Sequence, residues 1–329
     1  MNKKITLHVF CSVKGGVGKS TLATTCAKLL AANRRVPLLI DADLTGTSLA
    51  DGLKLRAPKT AVHPDGTVNV EAPATGEFMK LDEVARHRRL RRDNPVKKGL
   101  PPAYLNDALR PYLESKVQYA GEVHVDALLW RHEVDDGVWY LPSSALRQDL
   151  AESLGWYSLE VFDFMGAMTV LLDTVSHQRP ELTDVIIDVP PGLFGFGQEM
   201  LALASALTGD GLPEGYINWK TGPVVWDARA FLVTTPDAND VLPVYEYVAQ
   251  HITELFGARI LLNKSTTVPP PPEKVIGPTL GALIDTQRIA QVAFLPQTLG
   301  RIFQDGDLDK DKDVWHLARI FVPEEIEPT

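Results

Sequence analysis

The sequence contains few cysteines, no excess of positive charge and no long apolar run. Only two of its 329 residues are cysteines, Cys11 and Cys26, and they do not form a CxxC pair. Neither a disulfide framework nor a cysteine-built zinc or iron–sulfur site is therefore indicated. The formal net charge of -9 argues against a protein that coats nucleic acid over its whole surface, although a local basic patch is compatible with it.

The sequence also lacks the apolar segments of membrane proteins. No stretch of about 18 consecutive apolar residues occurs, so we expect no membrane span. The first residues, MNKK, lead into a short apolar run interrupted by Lys14 and several glycines, which is too short and wrongly flanked for a signal peptide. Together with the few cysteines, these features favour a reducing, cytoplasmic location.

A glycine-rich segment near the amino terminus is the most informative feature that is present. Residues 5–11 (ITLHVFC) are apolar and rich in β-branched and aromatic types, and SVKGGVGKST follows at residues 12–21. Apolar residues then recur at helical spacing, at Leu22, Cys26, Leu29 and Leu30. This order predicts a strand, a glycine loop and a helix, which is the context of a phosphate-binding P-loop.

The residue types of this loop suit a nucleotide triphosphate and its magnesium ion. Glycines let the backbone wrap an anion, and successive N–H groups at the helix N-terminus supply positive potential. Lys19 would reach the β- and γ-phosphates, Ser20 would coordinate Mg²⁺, and Thr21 would touch the α-phosphate. The expected nucleotide-binding residues are Gly15, Gly16, Val17, Gly18, Lys19, Ser20 and Thr21. The alternative is a glycine-rich turn that binds no ligand.

The loop departs from the ordinary Walker pattern at two positions. Val13 stands where that pattern has glycine, and Lys14 precedes the glycine pair. The string KGGVGKST resembles the deviant Walker A loop of the MinD/ParA/Mrp group of P-loop ATPases. In that group the early lysine reaches across a dimer interface to the partner subunit's nucleotide. The resemblance therefore implies ATP and Mg²⁺ as ligands, an ATP-dependent homodimer, and a catalytic role for Lys14 and Lys19.

A second apolar run, residues 36–40, ends in DADLTGTS at residues 41–48. Carboxylates that follow a strand of an α/β sheet lie beside the ligand-binding loops. The resemblance implies that Asp43 is the switch I aspartate acting on the attacking water, and that Asp41 assists Mg²⁺ through water. The alternative is that these two aspartates form a turn and a helix N-cap.

A third element is DVIIDVPPG at residues 184–192, an apolar strand that ends in an aspartate. It resembles Walker B and switch II, which implies that Asp188 holds Mg²⁺ through a bound water and that the N–H of Gly192 faces the γ-phosphate. A strand ending in aspartate is common by itself, so this interpretation depends on the two preceding motifs.

Later segments continue the alternation, with strands expected at residues 231–237, 259–264 and 292–296. The resemblance implies that Asn263 contacts the adenine ring and that Pro296 flanks the base. Asn263 could equally be a capping or turn residue.

The alternation predicts an α/β fold with a mainly parallel, twisted sheet flanked by helices on both faces. We expect residues 1–329 to form a single P-loop ATPase domain with two insertions, at about 52–125 and about 209–228. These insertions could bind a protein partner, or they could simply cover sheet edges and apolar surface.

The basic run Arg86–Arg92 is the only concentrated positive charge in the sequence. It could bind nucleic acid or an acidic partner, but nearby acidic residues favour a solvated arm. The acidic carboxyl-terminal end lacks a basic amphipathic helix, which disfavours membrane recruitment through that tail.

The pattern as a whole predicts an ATPase, slow and stimulated by a partner, whose nucleotide cycle switches dimerisation or partner recruitment. Two alternatives remain open at this point. One is a DNA-associated partitioning protein like ParA, and the other is a weakly hydrolysing ATP-binding subunit of a larger system.

Overall fold

A computed structural model of the chain describes most of the residues that the motifs occupy. The described residues are 3–46, 49, 52–58, 60–62, 68–70, 79–80, 104–115, 125–144, 146–158, 163–208, 224–251, 257–265, 270–292, 302–303 and 312–322.

The described strands are short except for two long central ones. In chain order they are β1 (Lys3–Cys11), β2 (Pro37–Asp41), β3 (Leu55–Ala57), β4 (Thr60–Val62), β5 (Val68–Val70), β6 (Met79–Lys80), β7 (Arg131–His132), β8 (Trp139–Leu141), β9 (Asp184–Asp188), β10 (Val224–Thr234), β11 (Arg259–Asn263) and β12 (Ile289–Val292).

The described helices alternate with the strands of the central sheet. They are α1 (Lys19–Ala32), α2 (Leu105–Ser115), α3 (Val125–Leu128), α4 (Arg147–Ser158), α5 (Phe164–Gln178), α6 (Phe196–Thr208), α7 (Ala238–Gln250), α8 (Pro272–Ile276), α9 (Pro278–Gly281), α10 (Lys312–Trp315) and α11 (Ala318–Phe321). None of them has the length and apolar character needed to cross a bilayer.

Seven strands form the central sheet in the order β12-β11-β10-β1-β9-β2-β8. Every pairing in it is parallel. The carboxyl ends of β1, β2, β9, β10 and β11 therefore meet at one edge, where parallel α/β sheets place their ligand-binding loops. The predicted α/β class with a parallel sheet is confirmed.

The core has two halves, one on each face of this sheet. Along β1 the side chains of Leu7 and Val9 belong to one apolar cluster and that of Phe10 to the other, as the two-residue period of a strand requires. Helix α1 packs into the second cluster through Leu22, whereas α6 packs into the first through Met200. Helices thus cover both faces, as predicted.

Strand β10 begins earlier than the sequence suggested. We expected a strand from residue 231, but pairing with β1 starts at Val224, opposite Lys3. Val224, Trp226 and Ala228 are buried while Val225 is exposed, so the two-residue period already holds there. Residues 224–228, which we had included in the second insertion, belong to the sheet, and residues 209–223 lie outside the described part of the chain.

Strand β12 also begins earlier, at Ile289 rather than residue 292, following a 3₁₀ turn at Thr286–Arg288. Residues 293–300 lie outside the described part of the chain. The segment expected to be the first insertion contains the antiparallel pairings of β3 with β6 and of β4 with β5, followed by helix α2. Strand β3 also pairs with β7, which lies beyond that segment. The single-domain organisation with two insertions stays a prediction.

Candidate functional site

A pocket of about 560 Å³ lies at the carboxyl-terminal edge of the sheet. Its volume is within the usual range for small-molecule sites. The lining comes from the glycine loop and from three other connections, namely Ser12, Lys14, Gly15, Gly16, Val17, Gly18, Lys19, Ser20, Thr21, Asp43, Pro191, Asn263 and Lys264. The structure therefore brings the whole predicted loop together with Asp43 and Asn263, which are distant in sequence.

The glycine loop depends on residues that tolerate a positive φ. Gly16 has φ +79° and Gly18, which caps α1, has φ +90°. The carboxamide Nδ2 of Asn263 donates to the carbonyl of Val17 at 2.8 Å. A Cβ on Gly18 would lie 2.1 Å from that Nδ2 atom. Glycine at position 18 is thus required by both conformation and space.

Asn263 stabilises the glycine loop in this structure through its hydrogen bond to Val17. Its Oδ1 atom accepts from the backbone N–H of Lys264 at 2.9 Å, and its side chain is buried. The residue lines the pocket, as the predicted contact with adenine requires, but its amide groups bond to the protein. The adenine contact stays a prediction.

Lys19 and Asp188 form a buried ion pair beneath the loop. The Lys19 ammonium, on the first turn of α1, donates to Oδ1 of Asp188 at the end of β9. The other carboxylate oxygen of Asp188, Oδ2, is buried and has no hydrogen-bond partner among the described residues. Buried polar atoms are normally paired, so an unpaired carboxylate oxygen beside a phosphate loop is a candidate point of contact for a hydrated cation.

Asp41 lies beside Asp188 in the register of β2 and β9. Its carboxylate is fully buried and accepts from Oγ of Ser143 at 3.1 Å and from the backbone N–H of Asp43 at 3.2 Å. Burial, together with the charges of Asp188 and Asp43, raises the pKa of Asp41 to about 8. A cation placed nearby would favour the ionised form of this carboxyl group.

Asp43 lines the pocket and also shapes the turn that follows β2. Its Oδ1 atom accepts from Oγ1 of Thr45 at 3.0 Å and from the backbone N–H of the same residue at 3.3 Å. The alternative interpretation of Asp43 as a turn residue is therefore realised together with its position in the pocket. Its action on water stays a prediction.

Lys14 lies at the rim of the pocket with 63% of its side chain exposed. Its ammonium is 2.6 Å from Oδ1 of Asp240, in the first turn of α7. The hydrogen bond raises the pKa of Lys14 and lowers that of Asp240. Oδ2 of Asp240 accepts from Oγ1 of Thr235 at 2.7 Å. In this structure Lys14 is therefore paired with an aspartate of its own chain.

Two site residues were not predicted from the sequence. One is Asp240, whose only signal was an acidic residue in the first turn of a helix that follows a sheet strand. The other is Lys264, which has φ +57° and donates from Nζ to the carbonyl of Gly16 at 2.8 Å. Its signal was a lysine directly after a strand that ends in asparagine.

The loop that follows β9 contacts the start of the glycine loop through its backbone. The N–H of Gly192 donates to the carbonyl of Ser12 at 2.8 Å, and Gly192 has φ +106°. Pro191 lines the pocket, whereas Gly192, Asp41 and Asp188 are not part of its lining. The Gly192 N–H could contact a γ-phosphate only if its hydrogen bond to the Ser12 carbonyl were broken.

Two other predicted features lie outside the described residues, namely Pro296 and the basic run Arg86–Arg92.

The comparisons with known proteins agree with this geometry. The sequence model of the ParA family, described as NUBPL iron-transfer P-loop NTPase, matches residues 3–87, about a quarter of the chain. The matched segment contains the glycine loop, Asp41 at the end of β2 and Asp43 after it. The sequence model thus covers the part of the chain that carries the phosphate loop, and the fold of the chain is that of MinD/ParA-type P-loop proteins. No curated protein sequence matches this chain.

Solved structures resemble the P-loop protein over nearly its whole length. The cell division ATPase MinD of Pyrococcus furiosus is 16% identical, with 98% of this chain and 97% of that chain covered and a TM-score of 0.51. A putative plasmid partition protein from Borrelia burgdorferi B31, bound to AMPPNP, is also 16% identical, with 97% of each chain covered and a TM-score of 0.51. A chain of the MinC:MinD cell division complex of Aquifex aeolicus is 14% identical, with 99% and 98% covered and a TM-score of 0.50. At these identities the likeness concerns the fold.

Proposed function

We propose that the protein binds ATP with Mg²⁺ in this pocket and hydrolyses it, and that its nucleotide state controls homodimerisation or the recruitment of a protein partner. The observation that carries the proposal is the buried pair of Lys19 and Asp188 beneath the glycine loop, with the exposed Lys14 at the rim. Lys19 has the position of the lysine that binds the β- and γ-phosphates in a P-loop. Lys14 has the position of the early lysine that, in the deviant Walker A loop this sequence resembles, reaches the nucleotide of a second subunit.

The residues below the loop fit a magnesium ion. Oδ2 of Asp188 is buried without a hydrogen-bond partner among the described residues, Asp41 is its neighbour across the strands, and Ser20 lines the pocket. One or two carboxylates and a hydroxyl group suit Mg²⁺, which keeps several waters and binds through few carboxylates plus substrate phosphates. The ion would neutralise charge on the phosphate oxygens during transfer.

Each residue of the pocket has a distinct task in this proposal. The backbone N–H groups of the loop bind phosphate oxygens, and the Lys19 ammonium exchanges Asp188 for the β- and γ-phosphates. Asp43 orients a water in line with the γ-phosphorus. As the water oxygen bonds to phosphorus, the bond to the β–γ bridging oxygen breaks, ADP leaves with that oxygen, and the proton of the water passes to Asp43 or to a phosphate oxygen. Alignment of these groups, more than their basicity, supplies most of the catalysis in phosphoryl transfer.

The dimerisation step rests on Lys14. Because its side chain is exposed, it can reach a nucleotide held by a second copy once its bond to Asp240 is released. The likeness to a partition protein bound to AMPPNP and to a chain of the MinC:MinD complex supports nucleotide binding and partner recruitment as the function to test. A cytoplasmic location is part of the proposal, since ATP is the substrate and both cysteines are free thiols.

Iron transfer, which the description of the matching family names, has no support in the residues of this chain. Cys11 and Cys26 are the only cysteines of the sequence, and both side chains are fully buried in the core. Burial raises the pKa of both thiols, which disfavours the thiolate that binds metal. We therefore propose no iron–sulfur chemistry.

The test is turnover of ATP as a function of protein concentration. We expect the rate per molecule to rise with concentration in the wild type, and the rise to be lost in Lys14→Ala while nucleotide binding is retained. Lys4→Ala is the matched control, because Lys4 is also an exposed lysine paired with an aspartate, Asp227, but lies at the start of β1 away from the pocket. Equal turnover of the wild type and Lys14→Ala at every concentration would refute the proposal.

A further inference from the structure

Two adjacent buried serines follow β8, the edge strand beside β2. Ser143 and Ser144 are both fully buried, and neither was singled out from the sequence. Buried hydroxyl groups are normally hydrogen-bonded, so their partners indicate what these residues hold in place.

Ser143 contacts the nucleotide site at two points. Its Oγ atom is 3.1 Å from Oδ2 of Asp41 and 3.3 Å from the carbonyl oxygen of Gly46. A hydroxyl group donates one proton, so it can bond either to the carboxylate at the end of β2 or to the segment that follows Asp43, but not fully to both. Ser143 therefore lies between the Asp41 carboxylate and the backbone at Gly46.

Ser144 contacts two helices on its other side. Its Oγ atom donates to Oδ2 of Asp149 in α4 at 2.5 Å, and its backbone N–H donates to Oδ1 of Asn106 in α2 at 2.7 Å. Asn106 in turn donates from Nδ2 to Oγ of Ser153 at 2.9 Å. These partners are fully buried, so water cannot replace them without rearrangement of the helices.

The two serines therefore connect Asp41, the carboxylate proposed to assist Mg²⁺, to buried residues of helices α2 and α4. Side chains that orient a metal-binding carboxylate act as a second coordination layer, and their loss weakens the metal site although they do not touch the ion. The hydroxyl of Ser144 bonds to Asp149, whereas that of Ser143 bonds to the Asp41 carboxylate, which also accepts from the backbone N–H groups of Asp43 and Leu49. Ser143 is therefore the serine whose side chain can orient this carboxylate directly.

We propose that Ser143 is a positioning residue for Mg²⁺ in the nucleotide site: its hydroxyl orients the Asp41 carboxylate, and the backbone N–H of Ser144, bonded to Asn106 in α2, holds this segment in place. The inference rests on the proposed function, because it assumes that Mg²⁺-ATP binds in this pocket. Helix α2 lies in the segment expected to be the first insertion. Its role would be to support the residues that orient Asp41.

The test is the Mg²⁺ concentration needed for half-maximal binding of a fluorescent ATP analogue. We expect Ser143→Ala to raise this midpoint about tenfold, the usual effect of removing a residue that supports a metal ligand. Nucleotide affinity measured in EDTA should be unchanged. Ser143→Thr, which keeps the hydroxyl group, should restore the wild-type midpoint.

Ser144→Ala separates positioning from general loss of stability. It removes the bond to Asp149 and should lower the Tm at least as much as Ser143→Ala, yet shift the Mg²⁺ midpoint less than about threefold. If Ser143→Ala does not fold, Ser143→Cys, which keeps the size of the side chain but has a weak donor, should show the same shift.

The outcomes distinguish the two proposals. A wild-type protein whose nucleotide binding does not respond to Mg²⁺ would overturn the proposed function and this inference with it. A wild-type protein that does respond, with a Ser143→Ala or Ser143→Cys midpoint equal to its own, or equal to that of Ser144→Ala, would overturn the role of Ser143 alone.

Discussion

Substitution of Gly18 by alanine should destabilise the glycine loop more than the same substitution at Gly16. Both residues have a positive φ, which costs an alanine about 1 kcal/mol. Nothing lies within 4 Å of a Cβ at Gly16, whereas a Cβ at Gly18 would be 2.1 Å from Nδ2 of Asn263. The carboxamide must then leave the carbonyl of Val17.

The expected magnitude follows from the bond that is lost. Leaving a buried donor or acceptor unpaired costs about 1–3 kcal/mol, so we expect a loss of about 2–4 kcal/mol for Gly18→Ala and of about 1 kcal/mol for Gly16→Ala. Both substitutions restrict the unfolded chain equally, so their difference isolates the contact with Asn263. The measurement is the free energy of unfolding in urea.

A double-mutant cycle tests the assignment of this difference. In an Asn263→Ala background the carboxamide that would meet the new Cβ is absent. Gly18→Ala should then cost only the backbone strain of a positive φ, about 1 kcal/mol. Equal destabilisation by the two glycine substitutions, or full additivity of Gly18→Ala with Asn263→Ala, would refute the reasoning.

Three further predictions concern charged groups. Asp240→Asn should release Lys14 and lower the protein concentration at which ATP turnover becomes concentration-dependent, and an unchanged or higher concentration would contradict the idea that this bond restrains Lys14. Burial raises the pKa of Glu199 to about 7, so its contribution to stability should be lost as the pH rises from about 4.5 to 7. The free energy of unfolding in urea should fall across that pH range in the wild type but not in Glu199→Gln. The same dependence on pH in both proteins would contradict this prediction. Arg35→Ala should cost about 3 kcal/mol in urea unfolding, because the buried Asp184 loses the guanidinium and keeps only its hydrogen bonds with His8 and Thr183, and a cost under about 1 kcal/mol would contradict this.

The elements of the sheet could be predicted because their signals are local. Strand β9 and strand β11 were expected at residues 184–188 and 259–264, and they lie at Asp184–Asp188 and Arg259–Asn263. Each is a short apolar run bounded by polar residues, which a single sequence displays directly. The start of β10 at Val224 was missed, because it directly follows a stretch rich in glycine and proline, and because Asp227 and Arg229 interrupt the apolar run on which the expected strand was based.

The loop of the candidate site could be predicted for the same reason, whereas its supporting contacts could not. Lys19 and Asp188 are far apart in sequence, but each was recognised from its own motif. The partners Asp240 of Lys14 and Ser143 of Asp41 belong to no motif, and only the order of the strands brings them near the pocket. Such pairings depend on tertiary packing that residue spacing does not encode.

Calorimetric titration of the purified protein with ATP, in Mg²⁺ and in EDTA, tests the central claim most directly. The account predicts saturable binding that is tighter in Mg²⁺ and that is lost in Lys19→Ala, whose ammonium would contact the phosphates. Absence of any Mg²⁺-dependent affinity for ATP in the folded wild-type protein would contradict it.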